Sequence, residues 1–183
     1  MDKKIAILRG INVGGKRKVL MADLKALFKE LGFVDIATYI QSGNVLFRSA
    51  EEISNLKLSS QIENAISTKY AFDVPVIVRG EFELEETIAN NPFFQENEPD
   101  IERLHVTFLS ERPLEENRIK AEACHYEPDR FVINGKDVFV FCAGKYHESK
   151  LTNNFFEKKL KVTATTRNWK TTLKLLELVR QLP

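Results

Sequence analysis

The segment Gly10-Ile11-Asn12-Val13-Gly14-Gly15-Lys16-Arg17-Lys18 joins three glycines to three consecutive cations. Glycine lets a backbone approach a ligand closely, and successive amides in such turns form anion-binding nests. The segment lies between a strand pattern and a helix pattern, where the N–H groups of a helix start carry partial positive charge. The chemistry expected here is capture of a phosphate or carboxylate by Arg9, Gly10, Asn12, Gly14, Gly15 and Lys16. No Ser, Thr, Asp or Asn stands between Lys16 and Leu20 to cap the helix, so its first donors need an anion or water. A tight turn flanked by solvated lysines accounts for the same residues equally well. The glycine spacing from Gly10 to Gly15, followed by Lys16, approaches a Walker loop, but Arg17 stands where the hydroxyl belongs. Magnesium-nucleotide chemistry of that type is therefore not expected.

Three further clusters carry polar groups. Gln41-Ser42-Gly43-Asn44 is explained by turn chemistry alone, and Ser42 and Asn44 become ligand candidates only if this turn lies beside the first loop. In Thr165-Thr166-Arg167-Asn168-Trp169-Lys170-Thr171, Thr166 or Asn168 can cap the last helix. Arg167 at a helix start opposes the dipole unless it meets an anion or a carboxylate; Arg167 and Asn168 join the candidate set on that ground. Tyr146-His147-Glu148-Ser149-Lys150 offers a His, a hydroxyl and a Lys, from which an activated nucleophile can be drawn. Ser149 reads more simply as a helix N-cap, and Lys150 is kept as a ligand candidate. His105 and His125 have no partner at metal-ligand spacing, so no metal is expected, and no catalytic residue or cofactor is assigned.

The elements that must position these residues follow from periodicity. Lys4 to Leu8 is a strand apolar on both faces; Met21, Leu24, Leu27, Phe28 and Leu31 recur at helix spacing and stop at Gly32. Ile36 to Ile40 and Val45 to Phe47 are strands joined by the 41–44 turn. Ser49 with Glu52, and Ser60 with Glu63, are capping boxes, which leaves 50–70 as one helix or two. Pro75 to Val78 is a strand, and Phe82 to Asn90 an acidic helix. Then come a strand at Leu104 to Leu109 and a helix at Leu114 to Ala123. Phe131 to Ile133 and Val138 to Phe141 are strands, with Asn134-Gly135 predicting a type I′ turn between them. A helix at Leu151 to Leu160, a strand at Val162 to Thr165 and a helix at Asn168 to Leu182 complete the chain. The order predicts an α+β protein of two tandem ferredoxin-like βαββαβ halves, with an acidic connecting helix and a C-terminal helix. The halves are placed at 1–80 and 103–183, with 81–102 between them.

Composition narrows the classes further. The 183 residues are 43% hydrophobic and 29% charged, which is globular usage rather than disordered or collagenous. Two cysteines build no disulfide framework. The longest apolar run, Val138 to Ala143, is far too short to cross a membrane, and the start of the chain lacks a signal-peptide pattern. A cytoplasmic location is expected, with no membrane partner. The net charge of +1 conceals an uneven distribution: residues 1–20 and 145–183 are basic, whereas 81–102 carries eight acids and no base.

Leu8-Arg9-Gly10-Ile11-Asn12-Val13-Gly14-Gly15, Ile40-Gln41-Ser42-Gly43-Asn44-Val45, Asn91-Pro92-Phe93, Ser149-Lys150-Leu151 and the 165–171 segment resemble, in order and spacing, the bacterial domain-of-unknown-function family numbered 1697. The resemblance implies a two-part α+β protein with ferredoxin-like halves, and no known activity or cofactor. Three functional readings follow. The first is an anionic, phosphate-bearing small molecule held in a cleft between the halves by the residues named above. The second is electrostatic binding of nucleic acid through the basic ends, without sequence specificity. RRM-type recognition is not expected, because Ile5-Ala6-Ile7-Leu8 lacks stacking aromatics. The third is a protein-interaction module using the acidic 81–102 stretch.

Overall fold

The computed structural model describes residues 1–50, 53–94 and 99–183, which form two compact units. Unit 1 comprises Met1–Glu85 with Lys174–Pro183, and unit 2 comprises Glu86–Leu173. In unit 1 the order is β1 (Asp2–Leu8), α1 (Met21–Glu30), β2 (Val34–Tyr39), β3 (Asn44–Ser49), α2 (Asn55–Tyr70) and β4 (Val76–Gly80). Helix α3 (Glu81–Ala89) contains the boundary between the units. Unit 2 continues with β5 (Leu104–Leu109), α4 (Glu115–Glu122), β6 (Arg130–Asn134), β7 (Asp137–Phe141), α5 (Asn153–Leu160) and β8 (Ala164–Asn168). The boundary also falls within the last helix, α6 (Trp169–Arg180). Among the described residues no helix is long and apolar enough to cross a membrane.

Each unit has one four-stranded sheet, β2-β3-β1-β4 or β6-β7-β5-β8, with antiparallel neighbours throughout. Strand alternation sends Ala6, Leu8, Val45, Phe47, Val76 and Val78 into one core, against Leu24, Leu27 and Phe28 of α1 and Leu58, Ile62 and Ile66 of α2. Phe28, Phe33 and Phe47 meet there with ring centroids 4.5 to 5.6 Å apart. Ile5 and Ile7, on the other face of β1, are also fully buried, as a strand apolar on both sides requires. In unit 2, Leu109, Val138, Val140 and Ala164 pack with Ala121 of α4 and Phe156 and Leu160 of α5.

The two sheets share one register. Leu8 faces Val76 and Ile5 faces Arg79; Leu109 faces Ala164 and Val106 faces Arg167. Every β1 residue from Lys4 to Leu8 therefore has a counterpart in β5, and Arg79 and Arg167 occupy the same position of their last strands. No sequence repeat announces this, because most paired positions require only burial.

Several local expectations shift. Helix α2 is a single helix capped by the Ser54 side chain, which accepts from Lys57 N at 3.3 Å. Ser60 and Glu63 lie inside it, and the Glu63 carboxylate accepts from Val76 N at 2.8 Å instead of closing a capping box. The other expected box includes Glu52, which is outside the described residues. Thr152, not Ser149, caps α5 by accepting from Phe155 N. The β6–β7 turn is centred on Gly135 and Lys136, and of these only Gly135 has positive φ, +61°. That is the requirement of type II′ in place of I′. Strand β8 runs to Asn168, so Arg167 lies in a strand paired with β5 rather than at a helix start.

Candidate functional site

The β1–α1 connection (residues 9–20) is a small hairpin. Lys16 N donates to Val13 O at 3.1 Å and Asn12 N to Arg17 O at 3.1 Å. Gly14 and Gly15 form the tip with φ of +59° and +73°, the type I′ geometry that a Gly-Gly pair permits without strain. Amides expected to form an anion nest are thus partly engaged inside the hairpin, those of Asn12 and Lys16 by backbone carbonyls. What the hairpin presents outward is side chains: Val13, Lys16, Arg17 and Lys18 are all exposed. Arg17 lies back across Gly10, where an added Cβ would come within 3.3 Å of its Nη1.

Asn12 holds this loop to the rest of unit 1. Its Nδ2 donates to Val19 O and to Gln41 O, each at 2.9 Å, and its Oδ1 accepts from Val19 N at 2.9 Å. The Gln41–Asn44 turn therefore does lie beside the first loop. Leu8 N donates to Gly43 O at 2.8 Å, and a Cβ on Gly43 would stand 2.8 Å from both Leu8 Cβ and Ile11 Cδ1. Asn44 is fully buried, its Nδ2 donating to Tyr39 O and Ser42 Oγ, so its amide builds the turn. Arg9 is half-buried at the hairpin root, its N–H donating to Pro75 O. Leu20 flanks α1 without a side-chain cap, as its type predicts.

Lys16, Arg17 and Lys18 carry no ion pair or side-chain hydrogen bond among the described residues. Some cations elsewhere do find carboxylates: Arg48 meets Asp35 at 3.0 Å, Lys174 meets Glu177 at 2.6 Å, Lys170 meets Glu102 and Arg180 meets Glu85. Arg17 and Lys18 thus extend the charge of Lys16, a role legible in the run of three cations itself.

Lys150, Arg167 and Asn168 belong to unit 2. Asn168 Oδ1 accepts from Thr171 N at 2.7 Å, the cap expected for the last helix. Arg167 is half-buried as a residue, but desolvation of its guanidinium brings it down to about 10, still protonated at neutral pH; it donates to Thr166 O at 3.0 Å. Lys150 Nζ lies 5.9 Å from the centre of the Tyr126 ring. Ser149 donates to Asp129 Oδ2 at 2.5 Å and accepts from Leu151 N, while Asp129 Oδ1 accepts from Ala143 N at 2.9 Å. The hydroxyl is thus part of a loop clamp. Burial pushes the neighbouring Cys142 thiol up, away from nucleophilic thiolate. Among the described residues no group of three or more His, Cys, Asp or Glu is placed to hold a metal ion.

Two antiparallel sheets with helices packed on them, one carrying a basic hairpin, define an α+β protein with an exposed cationic loop. The chain belongs to the family described as a protein of unknown function (DUF1697), which matches residues 1–139. It is also similar to a solved structure, that of the conserved bacterial protein SP0830 from Streptococcus pneumoniae. The two are 26% identical with a TM-score of 0.76, covering 97% of this chain and 98% of that one. No curated protein matches.

Three outcomes are expected. Gly43→Ala, forced to φ of +85° against Leu8 and Ile11, loses about 3 kcal/mol in denaturant unfolding. Asn12→Ala loses roughly 2–4 kcal/mol, and Asn12→Gly about 1 kcal/mol less, because Asn12 has positive φ and glycine tolerates it; equal losses would deny the backbone its share. His105 is buried and stacked on Tyr146 at 4.6 Å, and burial lowers its pKa below 6.5. Its unfolded form binds a proton that the folded form resists, so the stability it contributes is complete above pH 6.5 and declines as pH falls through the folded value. Unfolding midpoints measured from pH 7.5 to 5 should fall less steeply in His105→Gln than in the wild type.

Proposed function

We propose that unit 1 binds a phosphate-bearing anion, a nucleotide or phosphorylated metabolite, on the 9–20 hairpin. Lys16, Arg17 and Lys18 supply the charge, with Arg9 at the root and Ser42 in the adjoining turn. One observation carries this reading. Unit 2 makes the equivalent connection, β5 to α4, in five residues (110–114), whereas unit 1 uses twelve (9–20). The β2–β3 turn is longer as well, four residues (40–43) against two (135–136). The same sheet register is thus reached without a hairpin; the longer connection adds Ile11 and Val19 to the core and presents Lys16, Arg17 and Lys18, which pair with no acid among the described residues, at its surface. Surface loops positioned by a rigid scaffold are where binding residues concentrate. We read each unit as a ferredoxin-like half, a reading supported by its β-α-β-β-α-β order and its strand order, with acidic α3 as the connecting segment.

The exposure of Val13 through Lys18 favours a second reading, contact with the phosphate backbone of a nucleic acid.

Thermal unfolding with pyrophosphate, nucleotides and a sulfate control distinguishes these. Saturation at 100 times the dissociation constant adds about 2.7 kcal/mol. The effect should disappear when Lys16, Arg17 and Lys18 are all changed to Ala. Stabilisation no greater than that from sulfate, or unchanged in the triple variant, rejects the small-anion reading. Affinity for duplex DNA that falls steeply with salt, by about 0.9 log unit per log unit for each phosphate contacted, supports the second.

A further inference from the structure

A groove of about 780 Å³ opens in unit 1 along the edge strand β2, lined by none of the hairpin's residues. Its lining is mainly apolar: Ala26, Phe33, Val34, Ile36 and Pro183 line it, and Lys25 and Lys29 come to it from α1. Phe33 is almost fully buried and is fixed against Phe28 and Phe47, so the floor is rigid. Lys25 and Lys29 are exposed, one helical turn apart, and carry no ion pair among the described residues. The one acidic side chain in the lining, Asp35, is already paired with Arg48 at 3.0 Å.

We infer that this groove binds a small amphipathic carboxylate of the fatty-acid type, its alkyl chain along Ala26, Val34 and Ile36 and its carboxylate between Lys25 and Lys29. The volume lies within the range of roughly 300–1,000 Å³ typical of small-molecule sites. An aliphatic chain matches the apolar floor, and the paired lysines select the sign of the headgroup. Addition of a peptide strand to β2 fits less well. The β2 register shifts between Val34 and Ala37, and Asp35 has φ of +51°, which interrupts the regular row of edge groups that an added strand needs.

Isothermal titration of the full chain with dodecanoate, below its micelle concentration, tests this. Saturable binding is expected, with dodecyltrimethylammonium at least tenfold weaker. Combined Lys25→Gln and Lys29→Gln should weaken dodecanoate binding about tenfold, since two exposed charge contacts together amount to about one decade of affinity. Ala26→Trp, at an exposed position, should obstruct the groove and weaken binding at least tenfold while circular dichroism reports an intact fold. The triple Lys16, Arg17, Lys18 to Ala variant should bind dodecanoate normally, which keeps this outcome separate from that of the anion reading. The proposal is overturned by the absence of saturable binding, by equal affinity for the cationic amphiphile, or by binding unchanged in the lysine or tryptophan variants. It is equally overturned if acidic peptides bind this groove and dodecanoate does not.

Discussion

The side chain of Asn12 is the clip on which the first unit's polar end depends. One carboxamide closes the root of the 9–20 hairpin through both backbone groups of Val19 and reaches across to Gln41 O. Without it, a twelve-residue connection would have only two backbone bonds of its own to oppose its conformational entropy. With it, the hairpin and the β2–β3 turn become one body. Gly43 then has to be glycine, because Leu8 and Ile11 occupy the space of its Cβ. A side chain whose type suggests ligand contact thus spends its polar atoms on Val19 and Gln41, and so holds the loop that carries Lys16, Arg17 and Lys18.

The two sheets carry one strand register on unlike connections. Equal registers on β1/β4 and β5/β8 mean that the same core geometry is built twice. The connections differ instead. Unit 1 lengthens the β1–α1 and β2–β3 links and ties them with Asn12. Unit 2 lengthens the α4–β6 link (123–129) and the β7–α5 link (142–152) and ties them with Asp129, through Ala143 N and Ser149 Oγ. In both cases one buried or half-buried polar side chain satisfies several backbone or hydroxyl groups, the usual way in which a long loop avoids leaving polar atoms unpaired.

Particular residues show how far the sequence could be read. The stripe Leu24, Leu27 and Phe28 is buried as its spacing predicts, and Gly32 ends α1 with φ of +84°. Asn168 caps the last helix. Arg167 was less legible, because its neighbours Thr166 and Asn168 have cap chemistry, yet the pairing with β5 extends the strand through both. Ser149 matched a cap by position, but Asp129, twenty residues earlier, captured its hydroxyl. Ser60 and Glu63 have capping-box spacing, but Glu63 instead meets the amide of Val76 on the neighbouring strand.

The sequence by itself determined the α+β class, the order of the elements and the location of the basic, glycine-rich loop. Those follow from periodicity and from backbone preferences that act within a few residues. Tertiary structure alone decided that Asn12 reaches Gln41, that Gly43 seats Ile11, and that Lys25 and Lys29 border an apolar groove beside β2. Each of these joins atoms remote along the chain or depends on which face of an element is covered, and hydrogen-bond geometry and close packing become defined only when the sheets and helices have come together.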